Sequence, residues 1–172
     1  MRRIRLSNRE IKELRESHKF AAPIMSNVDT VEIVPLTEKE SIILVDGEPL
    51  LSKVSVKDLG EFIIPSLYLI HKSPKGALLP PLPKAVVDAG AVKRIIDGAD
   101  VMRPGIKKLE GEFNKGDTVF VVDEKGRAIA IAVALHSSEE IQQMEKGKVL
   151  LNLHYLGDRI WRASLELAKK TS

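Results

Sequence analysis

"VVDAGAVKRIIDGADVMRPGI", residues 86–106, packs strand, helix and strand signals into one short run. The β-branched pair after Lys84-Ala85 reads as a strand running into a helix. Gly90 opens that helix. Val92, Ile95 and Ile96 follow at the i, i+3, i+4 spacing of one buried helical face, which leaves Lys93, Arg94 and Asp97 outside. Gly98 closes the helix, because the residue after a helix often needs a left-handed backbone that glycine adopts without a steric penalty. Val101 and Met102 begin the next strand. Arg103 ends it, since Pro104 has no N–H to give a ladder and Gly105 lets the chain turn away. An apolar strand is therefore stopped just after it presents a cation, with Lys107 and Lys108 beyond the turn.

Working outward, "TVFVVDE", a turn at "KGR" and "AIAIAVAL" read as further short strands. "SSEEIQQMEKG" reads as a helix capped by a serine and ended by Gly147, and "KVLLNLHYLGDRIW" as the last strands. Many short strands separated by turn signals predict a small barrel. Met102 and Trp161 are expected in its core.

Upstream, "PKGALLPPLPK", residues 74–84, is rich in proline, which stiffens a chain and removes ladder donors, so it reads as a semi-rigid linker. Before it, "VEIVPL" and "SIILV" are strands, Asp46-Gly47 is a tight hairpin turn and "PLLSKVSV" is the returning strand. Pro65 stands where a short helix begins. Ser7 and Glu10 form a capping box ahead of the first helix, with Leu6 and Ile11 at the positions of a hydrophobic staple. Residues 1–20 hold seven basic and three acidic side chains, so that helix presents either a solvated face or a face for an anionic or protein partner.

The totals bound the function. The chain has 172 residues, enough for one ordinary domain or two small ones, and a globular 44% of apolar residues. Cysteine is absent, so neither a disulfide scaffold nor a thiolate metal site is available. His18, His71, His136 and His154 lack metal-site spacing, and no cofactor is expected. No run approaches the ~18 apolar residues of a membrane span, and the basic start lacks the apolar stretch of a signal peptide, so a cytoplasmic protein is expected. The net charge is +3, spread evenly, at +1 over residues 1–82 and +2 over 83–172, so a surface for nucleic acid has to be a local patch. Nucleophile motifs, phosphate-binding loops and dinucleotide fingerprints are missing, and no enzyme activity is expected.

The second half resembles the PUA domain, an RNA-binding pseudobarrel found on pseudouridine synthases and archaeosine transglycosylases. The resemblance lies in the opening stretch, in "GEFNKGDTVFVVDEKGRAIAIAVA" and in "HYLGDRIW". "DGEPL", "IIPSLYLIHKSP" and "NLHYLGDRIW" look like the malignant T-cell-amplified-sequence family, whose layout is similar to the N-terminal part of ligatin. The resemblance implies an α+β chain of two domains: a small pre-PUA domain, residues 1–78, and a PUA pseudobarrel, residues 79–172. It also implies a role on the small ribosomal subunit, in initiation, reinitiation or recycling. The partners it implies are tRNA or rRNA and a protein with a SUI-type initiation-factor domain. An accessory subunit of a tRNA- or rRNA-modifying enzyme is the alternative. The lack of cysteine and the composition fit an archaeal member.

On this reading RNA lies along the first PUA helix and the strand after it. Gly90, at a helix start with free N–H groups, admits the RNA backbone. Lys93, Arg94, Arg103 and Lys107 supply charge. Gly105 turns the chain clear of the groove, and Tyr155 is a candidate stacking contact.

Overall fold

The computed structural model describes residues 1–171. In chain order its regular elements are β1 (Ile4–Arg5), α1 (Asn8–Ser17), β2 (Val31–Pro35), β3 (Glu40–Val45), β4 (Glu48–Val56), β5 (Gly60–Pro65), α2 (Leu67–Lys72), β6 (Lys84–Val87), α3 (Ala89–Ile95), β7 (Val101–Met102), β8 (Ile106–Glu110), β9 (Thr118–Val122), β10 (Ala128–Ala134), α4 (Ser138–Gln143), β11 (Lys148–Tyr155) and α5 (Arg159–Thr171). They form two compact units.

The first unit is an antiparallel sheet in the order β1-β2-β3-β4-β5. Its hairpin between β3 and β4 turns at Asp46 (φ 48) and Gly47 (φ 84), the two left-handed residues that match a tight turn to strand twist. The capping box of α1 is complete: the Ser7 hydroxyl accepts from the Glu10 N–H at 3.1 Å, and Glu10 accepts from the Ser7 N–H at 3.0 Å. That N–H first, and the hydroxyl second, hold the Glu10 carboxyl below the ordinary glutamate range. Leu6 and Ile11, the staple positions, both pack into a core with Met25, Ile43 and Leu51.

The sequence reading missed β1 and β5. "EFIIP" is a strand whose Pro65 ends it in a buried position, and Ser66, not Pro65, caps α2. The expected linker starts too early. Residues Pro74–Leu78 form a 3-10 turn packed beside α2, with Lys75 3.5 Å from Glu48 and Leu79 against the first core. Proline here begins a turn, and only the stretch from Pro80 to Pro83 runs between elements of the two units.

The last helix is the largest difference. Among the described residues, 159–171 fall with the first unit, and the second ends at Asp158. Ile160, Ser164 and Leu167 repeat at helical spacing and are buried. Helix α5 lies on β3, β4 and α2, and Arg159 meets Glu40 at 2.8 Å. Trp161 is accordingly not barrel core. Its ring is edge-on to His71 of α2 at 5.9 Å.

The second unit is a curled mixed sheet, β7-β11-β10-β9-β6-β8, in which only β6 and β9 run parallel. Strand β10, "AIAIAVA", is buried along its whole length, as a central strand covered on both faces requires. Alternating small and large side chains let it pack both ways. Helix α3 fills the crossover between β6 and β7, burying Ala91 and Ile95. Helix α4 links β10 to β11 and has its own capping box, Ser137 with Glu140. It ends at Gln143, short of Gly147.

Candidate nucleic-acid interface

Helix α3 is set by its first residue. The Asp88 carboxylate accepts the Ala91 N–H at 2.8 Å, so Asp88 is the N-cap and Gly90 sits inside the first turn. An anionic cap occupies this helix start, which corrects the expectation of a bare, anion-attracting end. Gly90 itself is exposed, and a methyl there would sit 3.5 Å from Asp88 Oδ1 and 3.7 Å from Arg94 Nη1, which is ordinary contact.

The far end of α3 is held by a residue the sequence reading passed over. Asn152 of β11 donates through Nδ2 to Ile95 O at 3.0 Å and Ala99 O at 2.9 Å, and its N–H meets Asp100 Oδ1 at 2.8 Å. Gly98 is left-handed (φ 102), as expected of a C-cap. Tyr155, half-buried, packs against the core with its hydroxyl beside this turn: a methyl on Gly98 would lie 3.4 Å from the Tyr155 oxygen. The ring is therefore packed against the protein, with its hydroxyl end at the turn.

Arg103 is not an exposed strand end. It begins a 3-10 turn, Arg103–Gly105, and is half-buried. Its Nε donates to Ile141 O at 2.6 Å, at the end of α4, and its Nη1 reaches Ile106 O at 3.4 Å. Gly105 is buried, and its Cβ position lies only 2.8 Å from the Ala91 methyl, so the turn presses on α3 where no side chain fits. The Asp88 N–H donates to Gly105 O at 3.0 Å, and Val87 pairs with Ile106. Turn and strand thus bring Lys107 to the start of α3.

What remains for a ligand is Lys93 and Arg94 on the outer face of α3, with Lys107 at the head of β8. All three are exposed and make no ion pair among the described residues. Lys93 does not join Asp97 as its spacing allows. Three further cations are engaged, Lys108 with Glu110 at 3.5 Å, Arg127 with Asp123 at 3.2 Å and Lys148 with Asp100 at 2.9 Å, while Lys125 and Lys146 are exposed and make no ion pair among the described residues. Met102, expected in the core, is 44% exposed opposite Lys148, and Ile96 is 43% exposed. These two place apolar surface beside the cations. Among the described residues no group of histidines and acids is arranged to hold a metal.

Residues 83–156 match the PUA domain, and residues 2–73 match a domain of unknown function, DUF1947. The uncharacterized protein MJ1432 of Methanocaldococcus jannaschii is 39% identical, over 91% of this chain and 93% of its own. The chain belongs to the PUA-domain family of the malignant T-cell-amplified sequence proteins. Human malignant T-cell-amplified sequence 2 is 34% identical over 80% of this chain and 74% of its own, and translation machinery-associated protein 20 of Saccharomyces cerevisiae is 32% identical over 79% and 74%. The crystal structure of a hypothetical protein from Pyrococcus horikoshii matches with a TM-score of 0.74, 32% identity, 95% of this chain and 99% of its own. The PUA match stops at residue 156, ahead of α5.

Proposed function

We propose that this protein binds RNA through α3 and the head of β8 and works in translation, holding a tRNA acceptor end or rRNA on the small ribosomal subunit. The observation that carries this is the trio of unpaired cations, Lys93, Arg94 and Lys107, gathered at α3 and the head of β8 of a PUA domain, where Lys108, Arg127 and Lys148 are each held by a carboxylate. The name of the yeast relative supports the translational setting. Gly90 adds a place where a ribose approaches backbone directly, beside the Asp88 carboxylate. Arg103, Gly105 and Tyr155 serve the same surface as supports. The reading requires no catalysis and no cofactor.

The test is the salt dependence of RNA affinity. Three phosphate contacts on a single strand contribute about 2 to the log–log slope, at roughly 0.7 per charge. The variant K93A/R94A/K107A should lose that much slope and keep the parent's melting temperature. An unchanged slope would sink the assignment. Co-sedimentation with small subunits, against recovery with a modification enzyme, separates the translational role from the accessory-subunit alternative.

Gly90→Ala gives a second readout. The new methyl meets only ordinary contacts, and alanine is the better helix former by up to about 1 kcal/mol, so stability should hold or rise. RNA affinity should fall. Equal affinity in the two proteins would remove Gly90 from the site.

A further inference from the structure

The sequence contains two Asp-Gly dipeptides, Asp46-Gly47 and Asp97-Gly98, and no Asn-Gly. In such a pair the glycine nitrogen meets no side chain as it attacks the aspartyl side-chain carbonyl, so Asp-Gly is the aspartyl pair most prone to ring closure. The fold treats the two pairs differently. Asp46 Oδ1 accepts the N–H groups of Asp29 and Thr30, each at 2.9 Å, and the Asp46 N–H donates to Thr30 O at 2.9 Å. Swinging that carboxyl toward Gly47 breaks two hydrogen bonds inside a hairpin whose strands are paired on both sides. The Asp97 side chain is exposed and has no hydrogen bond or ion pair among the described residues. The Gly98 N–H donates to Ile95 O at 3.0 Å, and the turn is held besides by Ala99 N to Arg94 O and by the Asn152 clamp, but none of these bonds engages the Asp97 carboxyl, which is free to turn toward the Gly98 nitrogen.

We propose that Asp97 is the chemical modification site of this chain, converting to isoaspartate while the protein is folded. The Gly98 nitrogen gives up its proton and forms a bond to Cγ of Asp97 in its neutral acid form. The Cγ–OH bond breaks and water leaves, giving a five-membered succinimide. Water then adds to one of the two ring carbonyls and the C–N bond there breaks. One opening restores aspartate. The other leaves the chain running through Cγ, one backbone atom longer, with a free α-carboxylate. There is no net oxidation, and the only co-reactant is solvent water.

The insertion falls where α3 is capped. It separates Gly98 from its left-handed position and disturbs the hydrogen bonds from Gly98 N to Ile95 O and from Ala99 N to Arg94 O, as well as the Asn152 clamp on Ile95 O and Ala99 O. Lys93 and Arg94 ride on that turn. A loss of RNA binding on conversion rests on the proposed function, whereas the conversion itself does not.

The experiment holds the folded full-length chain in mildly acidic buffer below its melting temperature and follows two tryptic peptides, Ile95–Lys107 and Glu40–Lys53. Isoaspartate leaves the mass unchanged, so it is read by retention shift and electron-transfer fragments. It should accumulate in Ile95–Lys107 while Glu40–Lys53 stays at its starting level, and in urea the two peptides should convert together. Conversion at Asp46 as fast as at Asp97 in the folded chain would overturn the proposal. So would a folded Asp97 that stays intact over the time in which the unfolded chain converts. Asp97→Glu is the control, because its ring would be six-membered and slow to close. A signal that survives in this variant comes from Asp100, and the site is then misassigned. Converted protein that binds RNA as well as fresh protein would count against the RNA surface and leave the modification standing.

Discussion

Gly105→Ala should destabilise the second unit by about 2 kcal/mol, because an added methyl in a packed interior forces neighbours off their positions. The new carbon would sit 2.8 Å from the Ala91 methyl, inside any carbon–carbon contact distance, with Ala91 itself 5% exposed. Neither side has room to give. The turn is tied to the helix start by Asp88 N to Gly105 O, and α3 is tied down by its Asp88 cap and its Asn152 clamp. Thermal melting checks this, with a drop of several degrees expected. Ala91→Gly removes the obstructing methyl at a helix-propensity cost of about 1 kcal/mol. The double variant should therefore be more stable than the sum of the two single changes requires, since residues in contact couple. Strict additivity would mean the two residues do not press on each other.

The same contact shows what the sequence could reveal. The elements of residues 86–106 were legible from local chemistry: β-branched residues for β6, an apolar helical repeat for α3 and a left-handed glycine at its end; the face was not, since Ala91 and Ile95 are buried, Val92 only partly, and Ile96 is 43% exposed. The hairpin at Asp46-Gly47 and the capping box at Ser7 were legible for the same reason. What the sequence could not reveal was direction. Arg103 looks like a free cation because no neighbour in the chain pairs with it. Its acceptor, Ile141 O, lies 38 residues away. Gly105 looks like a turn residue, and its packing partner is on a helix that has already passed. Helix α5 shows a helical repeat in Ile160, Ser164 and Leu167, yet only tertiary packing assigns it to the first unit. Asp88 was the missed local signal: a carboxylate three residues ahead of the N–H it accepts is an ordinary N-cap pattern.

Arg103→Ala should cost about 2 kcal/mol of stability and leave the salt slope of RNA binding unchanged. The short bond from Nε to Ile141 O is a charge-assisted hydrogen bond in a half-buried setting, a class worth roughly 1.5–3 kcal/mol. It joins the turn after β7 to the end of α4, and the Arg103 N–H donates to Gly147 O at 2.8 Å from the same turn. Arg103→Lys separates support from phosphate contact. Lysine keeps the charge and loses the planar fork that reaches Ile141 O and Ile106 O together. If Arg103 supports the fold, lysine melts close to the alanine variant and binds folded-state RNA like the parent. If Arg103 contacts phosphate, lysine restores the slope that alanine loses. Lys93, Arg94 and Lys107 should behave in the opposite way, with lysine and arginine interchangeable and stability indifferent. A slope that falls by about 0.7 in Arg103→Ala and returns in Arg103→Lys would move Arg103 from the support of the surface to the surface itself.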